Sequence, residues 1–217
     1  TQTNMNANEV ISNYIIKKIK GKIGSKFPVH PNDHVNLSQS SNDTFPSIMN
    51  ICINELTIAK LIPSIKNLSK ELNIKKNKFK NIIKIGRTHT QDATPITLGD
   101  EFSAFLTQID SSFKRIMIAK KELIFLAQGG TAVGSGINAP KNFDRVFCKH
   151  LNKITNDNYK PSKNKFEAIA SHDTLVNFSN SIKMLAISML KIIDDIRLLS
   201  SGPRSGIAEL ELPANEP

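Results

Sequence analysis

The chain has 217 residues, 39% of them apolar and 22% charged, and a formal net charge of +10. That length supports a real core in one or two domains, and the composition is that of a globular protein, neither disordered nor stapled by disulfides. No apolar run reads as long enough to span a bilayer, no signal-peptide pattern opens the chain, and Cys52 and Cys148 are too few and too widely spaced for a metal cluster. The positive excess is dispersed lysine, with arginine only at 87, 115, 145, 197 and 204, and there is no Trp and little Tyr to stack on bases. We therefore read the charge as solvated helix faces rather than a nucleic-acid footprint, with some power to attract a dianion.

In chain order, the spacing predicts a first helix through Val10, Ile11, Tyr14, Ile15 and Ile19, capped by Asn6 or Asn8 and ended by Gly21 and Gly24. Residues 25–43 read as a loop. A long helix follows from about Thr44 to about Lys70, with Pro46 in its first turn and Pro63 kinking rather than ending it. Residues 86–97 read as a second polar loop. A helix from Leu98 to about Gln128 then leads to a glycine-rich loop at Gly129–Pro140. A shorter helix lies near 141–154, and a last long one runs from Lys165 to Leu199, stopped by Ser200-Ser201-Gly202-Pro203. The tail from Gly206 to Pro217 has no helical period. The expectation is an all-α fold, a long antiparallel helical bundle whose broad apolar faces call for association between subunits.

Three loop segments carry the chemistry. His30-Pro31-Asn32-Asp33 leads into Ser38-Gln39-Ser40-Ser41-Asn42-Asp43, just before the long helix. Hydroxyls and amides there can meet an anion at a helix N-terminus, although Ser-x-x-Asp in general is more often a plain cap. Gly86-Arg87-Thr88-His89-Thr90-Gln91-Asp92 places an imidazole beside a hydroxyl, a setting for a general base or for orienting water. Gly129-Gly130-Thr131-Ala132-Val133-Gly134 lets backbone approach closely, but follows a helix and lacks the phosphate-loop lysine. Thr131 and Asn138 are neighbours of such a site. His34, His150 and His172 receive no role, and the histidines have no metal-ligand spacing.

These strings, together with Thr1–Glu9 at the start, closely resemble class II fumarases of the fumarase/aspartase superfamily. Aspartases typically carry Gln at the position of His89 and Thr at that of Ser41. The resemblance implies a fumarate hydratase that needs no metal or organic cofactor and interconverts fumarate and (S)-malate in the tricarboxylic acid cycle. It implies His89 as a catalytic residue, with Thr1, Ser40, Ser41, Asn42 and Thr88 binding substrate. It also implies a second dicarboxylate site at His30, Pro31, Asn32 and Asp33. Partners would be fumarate and malate in a homotetramer whose active site is shared between subunits, with no nucleic acid and no membrane. The compartment would be the cytoplasm or the mitochondrial matrix.

The likeness spans residues 1–217 but only the central helical part of the family's subunit. The family's serine-containing loop, Gly-Ser-Ser-x-Met-Pro-x-Lys-x-Asn-Pro, would follow Pro217, and its serine is implied to remove the malate C3 proton. The isolated 217 residues are thus expected to have little activity. The alternatives are an aspartase-like ammonia lyase and a catalytically inert truncated helical scaffold.

Overall fold

The computed structural model describes residues 1–214, so the final Asn215-Glu216-Pro217 of the expected tail lies outside the described residues. The chain divides into two compact units. Unit 1 comprises Thr1–Thr57 and Lys120–Val176, and unit 2 comprises Ile58–Ala119 and Asn177–Pro217. Helix dominates both, as expected, with short strands added.

Unit 1 opens with α1 (Gln2–Lys18). Thr1, not Asn6 or Asn8, occupies its N-cap; Asn8 is instead a buried residue inside the helix. The helix ends a turn before the expected glycines. Lys20 takes the left-handed conformation, its N–H bonds Lys17 O, and the Gly21 N–H bonds Ile16 O, a Schellman stop with lysine where glycine is usual. A five-residue π turn at Pro31–Val35 breaks up the expected loop. Next comes α2 (Ser41–Leu56), followed by a π-helical stretch at Thr57–Leu61 and by α3 (Ile62–Lys78). The wide turn sits just ahead of Pro63, which lacks the N–H of an ordinary helical turn; the helix runs on through it.

The helix predicted to reach Gln128 stops at Lys120. Leu123 and Leu126, which continue its apolar spacing, are buried from a turn and from β3 (Phe125–Leu126). After α5 (Phe143–Thr155), β4 (Lys160–Pro161) pairs with β3 in parallel. Leu126, Cys148 and Tyr159 form a buried cluster. The last predicted helix is two: α6 (Lys165–Ala170) and α7 (Asp173–Leu199), separated by an extended Ser171. His172 therefore stands at a helix break, not on a continuous helix face.

In unit 2 the expected loop at 86–97 is a β-hairpin, β1 (Ile83–Thr88) with β2 (Gln91–Thr97). Its β-branched Ile and Thr content favours strand, while Gly86 and Pro95 read misleadingly as loop signals. Gly86 is required for close approach, because a Cβ there would lie 2.8 Å from Thr94 O. Helix α4 (Leu98–Lys120) buries Leu98, Phe102, Phe105, Ile109, Ser112 and Ile116, an alternating three- and four-residue spacing. Its neighbours bury positions seven apart, Ile65 and Leu72 on α3 and Leu185, Ile192 and Leu199 on α7. Ser69 of α3 bonds Asp110 of α4 at 2.8 Å, and Lys191 of α7 lies over the Phe105 ring. Many apolar residues of α7 still face outward; Ile187 is 58% and Leu190 60% exposed.

One expectation from composition fails. The helical run Ser41–Lys78 is, by length and hydropathy alone, long and apolar enough to cross a membrane. In unit 1, however, its polar residues are buried against protein: Asn54 donates to Asp157 Oδ2 at 2.5 Å and to the Tyr159 hydroxyl at 2.8 Å. Ser47 and Thr57 donate back to carbonyls one turn earlier. These buried polar groups are satisfied within the chain, while Ile48 and Leu56 of the same helix remain exposed.

Candidate active site

The 30–43 motif is built onto α1. Asn36 Oδ1 accepts from both Asn4 and Asn8, and Ser12 donates to Val29 O at 2.5 Å. At the π turn, His30 acts as a cap, its Nδ1 accepting from the N–H groups of Asn32 (3.3 Å) and Asp33 (3.2 Å). The backbone N–H of His30 in turn donates to His34 Nδ1 at 2.8 Å. Pro31 is buried while Asn32 and Asp33 are exposed. The four residues of the expected second site are thus gathered in one turn, and His34 has a structural part in it.

At the start of α2, Ser40 is a true N-cap. Its Oγ accepts from Asn42 N at 3.1 Å, and its N–H donates to Asp43 Oδ1 at 2.9 Å, closing a capping box. The commoner structural reading of Ser40 therefore holds at this position, whatever else its hydroxyl does. The next hydroxyl is placed differently: Ser41 Oγ lies 3.2 Å from Thr1 Oγ1, so residues forty positions apart form an exposed hydroxyl pair at the helix N-terminus. Beside them Asn42 donates through Nδ2 to Ala132 O at 2.9 Å, spending one amide hydrogen on the glycine-rich loop.

Asp43 joins the two segments. Its carboxylate is fully buried, and Oδ2 accepts from the N–H groups of Gly129 (3.0 Å) and Thr131 (2.8 Å). Burial lifts this carboxyl above its ordinary range, against the pull of the N–H groups of Ser40, Thr131 and Gly129. The glycines of the loop approach α6 and α5. A Cβ on Gly134 would meet Phe166 Cα at 2.6 Å, and one on Gly129 would meet Asp144 Cβ at 2.8 Å. Thr131, buried with positive φ, donates its hydroxyl to Gly130 O. That bond ties its side chain to the loop backbone, while Asn138 is exposed.

Thr88 and His89 belong to unit 2. Thr88 ends β1 and pairs with Gln91, leaving His89-Thr90 as a two-residue turn with φ of 49° and 61°. Such turns normally recruit Asn-Gly, so non-glycine residues here mark a strained tip. His89 is exposed. Unit 1 therefore assembles Thr1, Ser40, Ser41 and Asn42 with the third loop, and Thr88 and His89 belong to the hairpin of unit 2.

The whole chain, residues 1–217, matches the family model described as Lyase. The chain belongs to the lyase family. The chain is 53% identical over 217 residues to the class II fumarate hydratase of Brucella suis biovar 1, covering 100% of itself and 47% of that protein. Against the mitochondrial fumarate hydratase of Schizosaccharomyces pombe the identity is 54%, with coverage of 100% and 42%. The crystal structure of recombinant class II fumarase from Schistosoma mansoni matches it with a TM-score of 0.97 at 44% identity, covering 100% of this chain and 48% of that one. The chain spans about half the length of the curated relatives it matches.

Two residues have a reach that no local pattern shows. Asp43 was visible only as the acid of a capping box; nothing local shows that it reaches Gly129 and Thr131. Glu209 carried no motif at all, yet its carboxylate meets Arg87 Nη2 at 2.5 Å and Lys84 Nζ at 2.6 Å.

Proposed function

We propose that the complete protein carrying these residues is a class II fumarate hydratase, adding water reversibly to fumarate to give (S)-malate. The observation that carries the reading is the exposed Thr1–Ser41 hydroxyl pair beside Asn42 at the N-terminus of α2. Hydroxyl donors at the positive end of a helix suit a carboxylate. The fumarase identities quoted above support the choice of substrate, and His89 supports hydratase over ammonia lyase.

In this reading Thr1, Ser40, Ser41 and Asn42 bind the substrate carboxylates, with Ser40 also holding the turn, and Thr88 is a further substrate-binding donor. Such donors, fixed in advance, stabilise the charge that develops on a carboxylate as the C3 proton leaves. Thr88 and His89 act on the hydroxyl that departs as water. The serine that takes the C3 proton belongs to the expected loop after Pro217. His30, Pro31, Asn32 and Asp33 form an accessory dicarboxylate site. The outward apolar residues of α7, Ile187 and Leu190 among them, support a homotetramer in which different copies contribute to one site. The setting is the cytoplasm or mitochondrial matrix.

The test is to purify the complete protein and follow fumarate loss by absorbance, alongside ammonia release from aspartate. Hydration at rates typical of enzymes supports the reading. Ammonia release without hydration replaces it with the aspartase-like alternative, and neither activity leaves an inert scaffold. Sedimentation at four times the subunit mass is the expected assembly.

A further inference from the structure

The hairpin that presents Thr88 and His89 is held by a compact group of charges. Lys84 and Arg87 come from β1, Glu101 from α4 and Glu209 from the segment after α7. Lys84 Nζ lies 2.7 Å from Glu101 Oε1 and 2.6 Å from Glu209 Oε2, while Arg87 Nη2 donates to Glu209 Oε1 at 2.5 Å. The Lys84 side chain is only 6% exposed and that of Glu209 19%. At that burial each charge depends on its partners, since removing one leaves another uncompensated.

Glu209 reaches this group from a fixed backbone. Its N–H donates to Leu199 O at 2.8 Å, the Leu210 N–H donates to the same carbonyl at 3.1 Å, and the Ala208 N–H donates to Ser201 O at 2.8 Å. The carboxylate is therefore anchored to the end of α7 before it meets β1. The β1–β2 register shifts between Ile85 and Arg87, a local irregularity after which pairing resumes at Arg87–Asp92 and Thr88–Gln91. Arg87 sits at that shift, directly before Thr88.

We propose that Glu209 is a positioning residue. Through Arg87 and Lys84 it fixes the orientation in which the hairpin presents Thr88 and His89. The proposal rests on the fumarase reading of those two residues. Of the residues assigned to substrate binding only Thr88 is on the hairpin, the others being Thr1, Ser40, Ser41 and Asn42, so loss of the anchor should act on turnover more than on affinity.

The experiment compares the complete wild-type protein with Glu209→Gln and Arg87→Lys. Steady-state kinetics with fumarate are combined with hydrogen–deuterium exchange over residues 83–97. The expected result is a kcat at least about tenfold lower with a smaller change in KM, since small misplacement of reacting groups costs large factors in rate. Exchange in the hairpin should rise. A kcat within about twofold of wild type, or equal losses explained by a lower folded fraction, overturns the proposal. If Glu209→Gln does not fold, Arg87→Lys, which keeps the charge, decides by the same split. A wild type without hydratase activity would instead refute the functional reading; the exchange data would still report whether Glu209 anchors the hairpin.

Discussion

The Asp43 carboxylate accepts the backbone N–H of Thr131 at 2.8 Å, across 88 positions of sequence. The same oxygen takes the Gly129 N–H, and the other oxygen takes that of Ser40. One buried side chain thus fixes the glycine-rich loop against the first turn of α2, next to Ser41 and Asn42. Asp43→Asn would keep the shape but turn an amide N–H₂ toward N–H donors. The expected loss is about 1–3 kcal/mol of stability, the usual result of leaving buried donors unsatisfied. Denaturant midpoints measure it, and a midpoint equal to wild type would show that the loop holds without this clamp. In the proposed enzyme KM for fumarate should rise as well.

Gly134 makes a second, purely steric prediction. It has φ of 113°, and an added Cβ would stand 2.6 Å from the Cα of Phe166. Gly134→Ala therefore combines backbone strain with a clash against backbone that has no flexible end to yield. A loss of about 1–3 kcal/mol is expected. Gly24 is the control, because it too has positive φ but a Cβ there meets nothing within 4 Å. Gly24→Ala should cost distinctly less; equal thermal shifts would mean that packing on Phe166 is not the cause.

How far the sequence discloses this molecule depends on the range of each interaction. The long helices were legible because their apolar spacing is local, and the α2 cap was legible because Ser40 and Asp43 lie three residues apart. The hairpin was not, since Gly86 and Pro95 look like loop residues until Gly86 is seen facing Thr94 O. Helix ends failed where burial copied helical spacing, as at Leu123 and Leu126, or where the chain broke without a proline, as at Ser171. The site motifs stood out in the sequence, but the partners that fix them did not. Asp43 and Glu209 act over 86 or more positions, and no local pattern encodes that reach.

Acid should weaken the protein through ion pairs of known place. Burial pulls the Asp144 carboxyl upward, but the Lys165 ammonium at 2.6 Å and the Arg145 N–H together hold it below its ordinary 3.8. Glu209 behaves alike: burial raises it, while Arg87 and Lys84 bring it below 4.5. A carboxyl depressed in the folded state binds its proton more weakly there than in the unfolded chain. Its contribution is therefore complete above the ordinary value and lost as pH falls through the lowered one. Asp43 has the opposite sign, contributing below 3.8 and losing that contribution as pH rises through its raised value. Urea midpoints should drop as the solution is taken below 4.5. Asp144→Asn should flatten part of that drop while lowering the midpoint at neutral pH. An unchanged acid profile would mean that Asp144 titrates alike in both states.

His89 supplies the sharpest division between chemistry and structure. It sits exposed in the strained turn of the hairpin, with φ of 49°. An exposed side chain contributes little to packing, so His89→Gln should leave the melting temperature nearly unchanged. It should even so lower kcat for fumarate hydration in the complete protein by about 10²–10⁴-fold, the range for losing a positioned acid–base group. Glutamine can still form hydrogen bonds but cannot exchange a proton near neutral pH, so the loss would identify proton transfer rather than mere contact as the role. A His89→Gln protein with wild-type kcat would remove the imidazole from the mechanism and leave Thr88 as the hairpin's contribution.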